Sequence, residues 1–369
     1  MRTLRTLLAA AALGVGVTVF APEVGAAHAD DTIVMSGLNN PRGLTFGPGR
    51  WQGAGDRGGD RWALYVAEAG TGGMLRCTQL RGTVCVGRTG SVSRYSHGKQ
   101  DRIVDGLPSY APFATGASAG AVGPSDVSFA GRRGYVVIGL AASPDARAAL
   151  GENFGWIARF RPNGEVSYRV DVSDYEKQTN PDGGPVESNP HALLEGAGKR
   201  VIVDAAGNTL LHAAPWSQIS TLGVIPSRPQ GRNTDAVPTS VAIGPDGAYY
   251  VGELTGAPFA PGEARVWRLV PGQPPQVFCP GFSFIIDLDF DDDGNLYVLE
   301  YASGPRGPFA GTPGQLLRVR DDCSKTPVRT ALPAPTSVAI GPDGDAYVSI
   351  NGASPAIGAV IRIELGAQG

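Results

Sequence analysis

Residues 238–253 read PTSVAIGPDGAYYVGE, and residues 335–350 read PTSVAIGPDGDAYVSI. Each is an alternating apolar run, a Gly-Pro-Asp-Gly turn and a Tyr/Val-rich run, which is how two antiparallel strands joined by a tight turn are written. Weaker copies stand at 41–46 with 63–68, 124–140, 189–204 and 285–300, so the unit occurs six times. A hairpin repeated at this period cannot bury its own apolar face, and the copies must stack on one another. Behind each hairpin lies a third apolar run, at 91–95, 157–160, 209–213, 266–270, 316–319 and 360–365. Four units show a clear fourth run, at 102–107, 166–172, 219–225 and 275–278, and another a weaker one near 328–332. The last unit has none before Gly369, whereas 32–38 (TIVMSGL) echoes 102–107 (RIVDGL) without a hairpin in front of it. The chain is therefore expected to be all-β, a six-bladed β-propeller whose last blade is closed by the N-terminal strand, with no open sheet edge.

Composition suits a turn-dense β protein: 53 Gly and 30 Pro against only 18% charged residues. A net charge of −3 without an arginine cluster or an interleaved aromatic platform gives no footprint for nucleic acid. Residues 1–29 read as a signal peptide, with Arg2 and Arg5, an apolar run from Leu7 to Phe20 and a small-residue site ending at Ala29. Residues 30–369 then form one domain, with no second apolar span long enough for a membrane and a secreted, extracellular location. In that oxidising setting all four cysteines become candidates for pairing. Cys77 and Cys85 share the 69–90 excursion and are expected to bridge locally. Cys279 and Cys323 fit less well, because Cys279 should end a fourth strand on one face and Cys323 should lie toward the other; that pair stays open.

Strand order sorts the loops onto two faces. The Gly-Pro-Asp-Gly turns lie on the lower face, and the longer loops 69–90, 108–124, 141–155, 173–189, 226–238, 254–264 and 301–314 gather on the upper face, where function is expected. Aligning the second strands puts Glu68, Asp204, Glu253 and Glu300 at one upper exit. Aligning the first strands on their last apolar residue puts Gly43, Asp126, His191, Ser240, Asp287 and Ser337 at the upper entry. Such a ring of carboxylates either accepts backbone N–H bonds at the strand ends or holds a hard cation, Ca²⁺ before Mg²⁺. His191 is read as a hydrogen-bonded structural residue or as a base. The stretch Asp289-x-Asp291-x-Asp293-Gly294 with Glu300 matches a helix–loop–helix calcium loop, but its flanks are strands, which places Glu300 a full strand away from the turn.

Several motifs resemble the ScyD/ScyE family of secreted bacterial β-propellers over nearly the whole mature chain: ALYVAEAG (63–70), CVGRTGSVSRY (85–95), GPSDVSF (123–129), NPDGG (180–184), SNP (188–190), VPTSVAIGPDGAYYVGELTG (237–256) with Pro258-Phe259, and GNLYVLE (294–300). The resemblance implies the fold and export but no established reaction. Asp182, Asn189, Asn208 and Phe259, together with His191, form the candidate ligand-binding rim. His191 departs from the family's usual aromatic after Ser-Asn-Pro, and Ala206 from its Asp-Ala-Gly-Gly-Asn. More distantly the architecture is similar to gluconolactonase-like and strictosidine-synthase-like propellers, whose Gly-Glu-x-Pro entry motif is missing. The leading expectation is a module binding a small molecule, glycan or protein at the upper face. The alternative is a divalent-cation-dependent hydrolase or lactonase in which Ca²⁺ polarises a carbonyl and Asp126, Asp287 or His191 moves protons.

Overall fold

In the computed structural model, residues 31–49, 62–113, 120–161, 163–196, 199–214, 218–228, 234–304, 308 and 311–366 are described. Residues 1–29, with the expected signal peptide, lie outside them. Six antiparallel sheets stand in a ring, each with its first strand innermost, as the sequence repeat requires. Blade 1 comprises Pro41–Pro48, Trp62–Glu68, Thr83–Ser96 and Lys99–Pro112, and blade 2 Pro124–Ala130, Arg133–Ile138, Trp156–Phe160 and Val166–Asp171. Blade 3 is Pro190–Gly196, Lys199–Asp204, Thr209–Ala213 and Ile219–Val224; blade 4 is Pro238–Ile243, Tyr249–Glu253, Ala264–Leu269 and Gln276–Phe282. Blade 5 is Ile285–Phe290, Leu296–Glu300, Gly314–Val319 and Lys325–Leu332. Blade 6 takes Ser337–Ile340, Ala346–Ile350 and Gly358–Ile363 from the C-terminal end, and Thr32–Leu38 closes it by pairing with Gly358–Ile363.

Burial follows from each strand's place. The second strands lie between neighbours on both sides and both faces, so Tyr65, Val66, Val136, Val203, Val251, Val298 and Val348 are all buried, and the sequence there is a continuous apolar run. The fourth strand of blade 4, Gln276–Phe282, buries only Cys279 and Phe282, and Thr32–Leu38 buries Met35 and Leu38 at the matching places. The N-terminal strand thus carries the inward–outward pattern of a fourth strand. The lower turns repeat one device, in which Gly247, Gly294 and Gly344 take φ of 77°, 83° and 82° that a side chain would strain. The turn aspartate then accepts from the tyrosine of the second strand, Tyr347 Oη to Asp343 at 2.8 Å and Tyr297 Oη to Asp291 at 3.2 Å.

Two features depart from expectation. Blade 1 carries a protruding arm, because Thr83–Ser96 and Lys99–Pro112 run well past the blade and Arg76–Gln79 pairs with the extension; Cys77 and Cys85 face each other across it as a disulfide. Cys279 and Cys323 are also bonded, with Cα atoms 5.4 Å apart. Cys279 sits midway along its strand rather than at its end, within reach of the lower turn holding Cys323, and this removes the objection drawn from strand order.

Candidate functional site

Glu68, Asp204, Glu253 and Glu300 do occupy one equivalent place, each paired in register with the first residue of the first strand: Pro41, Pro190, Pro238 and Ile285. Three of them turn outward along their own blade. Glu68 accepts from Ser91 and Ser93 on the third strand, at 3.1 and 2.5 Å, and from Asn39 N at 2.7 Å. Glu253 takes Arg265 Nε at 2.8 Å, Arg228 Nη2 at 2.7 Å and Trp267 Nε1 at 2.6 Å. Glu300 takes Ser283 N and Gln315 Nε2 at 2.6 and 2.7 Å. Asp204 binds its own corner, through Ser188 Oγ, Asn189 N and the amides of Ala206 and Gly207. These carboxylates therefore fasten the connection entering each blade and do not join Asp126 and Asp287 in a single ring. Among the described residues no three His, Cys, Asp or Glu side chains stand together so as to hold a metal ion.

The channel mouth is built by the first strands. A register shift follows the first residue of that strand in blades 1 to 5, and the shifted residues are Arg42, Ser125, His191, Thr239 and Ile286, with Thr336 as the counterpart in blade 6. Their side chains hand a hydrogen bond to the next blade in one rotational sense. Ser125 Oγ donates to Pro190 O (3.1 Å), His191 Nδ1 to Thr239 O (2.7 Å), Thr239 Oγ1 to Ile285 O (2.8 Å) and Thr336 Oγ1 to Pro41 O (2.8 Å). Arg42 Nη2 continues the relay to Ala121 O at 3.0 Å; Ile286 has no polar atom to contribute. His191 thus belongs with Arg42 and Thr239, and Ala192 takes the register place of Asp126. The one-residue error arises because blade 3 carries Glu195, paired with Arg200, at the register place where the other blades carry Phe or Ile.

Asp126 and Asp287 form a second tier. Asp126 accepts Val127 N and, from blade 3, Leu193 N at 2.7 Å. Asp287 accepts Ser337 Oγ at 2.5 Å and Val338 N at 2.9 Å from blade 6, while Ser337 Oγ receives Leu44 N of blade 1 at 3.0 Å. Blades 2 and 5 are opposite in a ring of six, and the two carboxylates repel each other across the channel. Burial raises Asp287 to about 7, and burial, with the Asp287 charge adding to it, holds Asp126 well above the usual carboxylate range.

Arg42 of blade 1 acts electrostatically on His191 of blade 3 and on the half-buried Tyr301 of blade 5. Burial, helped by the Arg42 charge, lowers His191 to about 4, so its imidazole is neutral. Since Nδ1 meets a carbonyl it carries the proton, and Nε2 is left as an acceptor. Arg42 has no carboxylate partner among the described residues, and burial lowers its pKa.

Of the other rim candidates, Asp182 and Asn189 lie in the segment joining blade 2 to blade 3, Asn208 in the upper loop of blade 3 and Phe259 in that of blade 4. Asn208, 2% exposed, donates to Asp182 Oδ2 at 2.8 Å and accepts Val237 N at 3.0 Å. Asn189 Oδ1 accepts Leu140 N at 3.3 Å, which ties blade 2 to blade 3. Phe259 follows a cis Ala257–Pro258 bond in the blade 4 upper loop. Sequence reading missed the helix Val172–Thr179 within the expected 173–189 loop, capped by Asp171, which accepts Asp174 N at 3.0 Å. Its Glu176 is buried with Oε1 unpartnered, and burial plus the charges of Asp204 and Asp182 raises it to about 8. Asp291 is spent on Asn295 and Tyr297 of its own hairpin, at the other end of the strand from Glu300.

No protein-family model and no curated protein matches the chain. Among solved structures it is similar to a gluconolactonase from Xanthomonas campestris (TM-score 0.53, 11% identity, 90% of this chain and 89% of that one). It is also similar to a protein of unknown function from Bacteroides thetaiotaomicron (0.51, 10%, 90% and 71%) and to another gluconolactonase, itself a putative assignment (0.50, 11%, 91% and 93%). At such identities the likeness establishes the six-bladed propeller alone.

Proposed function

We propose that this chain is a secreted binding propeller of the ScyD/ScyE kind whose working surface is the upper mouth of the central channel. One observation carries the reading. Nearly all polar groups around the axis are spent on joining one blade to the next, whereas Arg42, His191 Nε2 and the Tyr301 hydroxyl keep hydrogen-bonding capacity that the described residues do not use. Unused capacity on a rigid, half-enclosed frame suits a small ligand. The two disulfides fit an oxidising location, and among the described residues no helix is long and apolar enough to cross a membrane.

The test is a thermal-shift screen of the mature protein against neutral, anionic and cationic metabolites, with hydrogen exchange mapping the binders. Protection confined to residues 39–43, 188–192 and 299–302 is the expected result. Binders that protect only the blade 1 arm would move the site elsewhere. A second reading, a cation-dependent lactonase, draws on the repulsion between Asp126 and Asp287 across the channel. Calcium-dependent turnover of lactones that is lost in Asp287→Asn would decide for it.

A further inference from the structure

Arg42 is half-buried at the mouth and carries one described hydrogen bond, to Ala121 O. A guanidinium has five N–H donors in a planar fork and stays charged, so most of its capacity is unspent. Burying an uncompensated charge is costly unless a counter-charge arrives. The second-tier carboxylates do not supply it, because Asp126 and Asp287 are engaged by donors of the following blades.

The groups around Arg42 narrow the ligand further. Tyr301 offers a hydroxyl donor, while His191, with its proton held on Nδ1 by Thr239 O, offers an acceptor at Nε2. Two donors and one acceptor match a carboxylate that carries a hydroxyl: the fork takes the carboxylate oxygens, and the hydroxyl donates to the imidazole. With a single cation in the trio, a monoanion suits the mouth better than a phosphate dianion.

We infer that the channel mouth receives the carboxylate of a small hydroxy acid, held by Arg42 and Tyr301, with the ligand's hydroxyl donated to His191 Nε2. This rests on the mouth being the binding surface, and it names the ligand class.

The experiment measures binding of lactate, acetate and lactamide to the mature protein by saturation-transfer NMR, with concentrations up to about 50 mM to cover the weak affinity expected of minimal fragments. Lactate should bind more tightly than acetate, and lactamide not at all. Arg42→Gln keeps a donor for Ala121 O but should weaken both acids at least about tenfold, the worth of one charge-assisted bond. His191→Phe should bring lactate to the level of acetate while leaving acetate unchanged, which a general loss of packing would not do. Matching melting temperatures of the variants confirm that they fold. Lactamide binding as well as lactate, Arg42→Gln without effect, or no binding of either acid overturns the hydroxy-acid assignment. If neutral or cationic compounds from the screen still protect the mouth, the binding surface stands and only its ligand class falls.

Discussion

Single side chains set opposing pH dependences. His191 is neutral in the fold, with its pKa lowered to about 4, whereas the unfolded chain takes up that proton below about 6.5; its contribution to stability therefore grows as pH rises between those values. Asp289, Asp287 and Glu176, raised to about 6, 7 and 8, hold protons that the unfolded chain has already released, and what they contribute is lost as pH rises through those values. Above about 6.5 the histidine is silent in both states, and Asp287 and Glu176 leave a net loss of stability up to about pH 8. Urea midpoints of the wild type are expected to fall over that interval. The Asp287→Asn and Glu176→Gln double variant should fall less steeply, Asp126 still being raised by burial, and His191→Gln should start its fall at lower pH. A wild-type midpoint that holds steady to pH 8 would refute this assignment of charge. At this scale the sequence was only partly legible. Asp126 and Asp287 stood out as acids on apolar strands, but Arg42 carries no periodic signal, because a bulge residue is outside the two-residue alternation by which strands are read.

Elements were legible wherever they repeat and obscure wherever they do so once. The six hairpins follow from the duplicated Gly-Pro-Asp-Gly units, and Thr32–Leu38 has the bounds its resemblance to 102–107 suggested. The helix Val172–Thr179 has no sibling in another blade, and the blade 1 arm extends strands past the length the other units set. The disulfides differ in the same way. Cys77–Cys85 closes eight residues within one arm, while Cys279–Cys323 spans 44 and clips blade 4 to blade 5. By loop entropy the bridges are worth about 2.5 and about 4 kcal/mol. Replacing Cys279 and Cys323 by Ala should thus lower the urea-derived stability more than replacing Cys77 and Cys85. The reverse order would mean that the arm, rather than the joint between blades, limits unfolding.

For the whole molecule the closing strand decides stability, because a ring opened at one blade exposes edges on both sides of the break. Thr32–Leu38 contributes Met35 and Leu38 to the core, with Ile361 of its partner strand also buried, and Asp31 just before it pairs with Arg329 of blade 5. Burying the two side chains alone is worth about 3–6 kcal/mol. A chain beginning at residue 39 is expected to melt at lower temperature than one beginning at residue 30, lose cooperativity and aggregate. Wild-type-like melting would show that five blades and a three-stranded sixth hold without a clasp.

The register of that clasp has a mechanical consequence. Thr32 lies opposite Arg362 and Leu38 opposite Gly358, so the outer ends of the two strands meet at the same end of the pair. Tension applied between residues 31 and 364 loads the rungs one at a time, as in a zipper, instead of shearing them together. The disc should yield at low force from blade 6, and the remaining blades should follow in turn once their ring is broken.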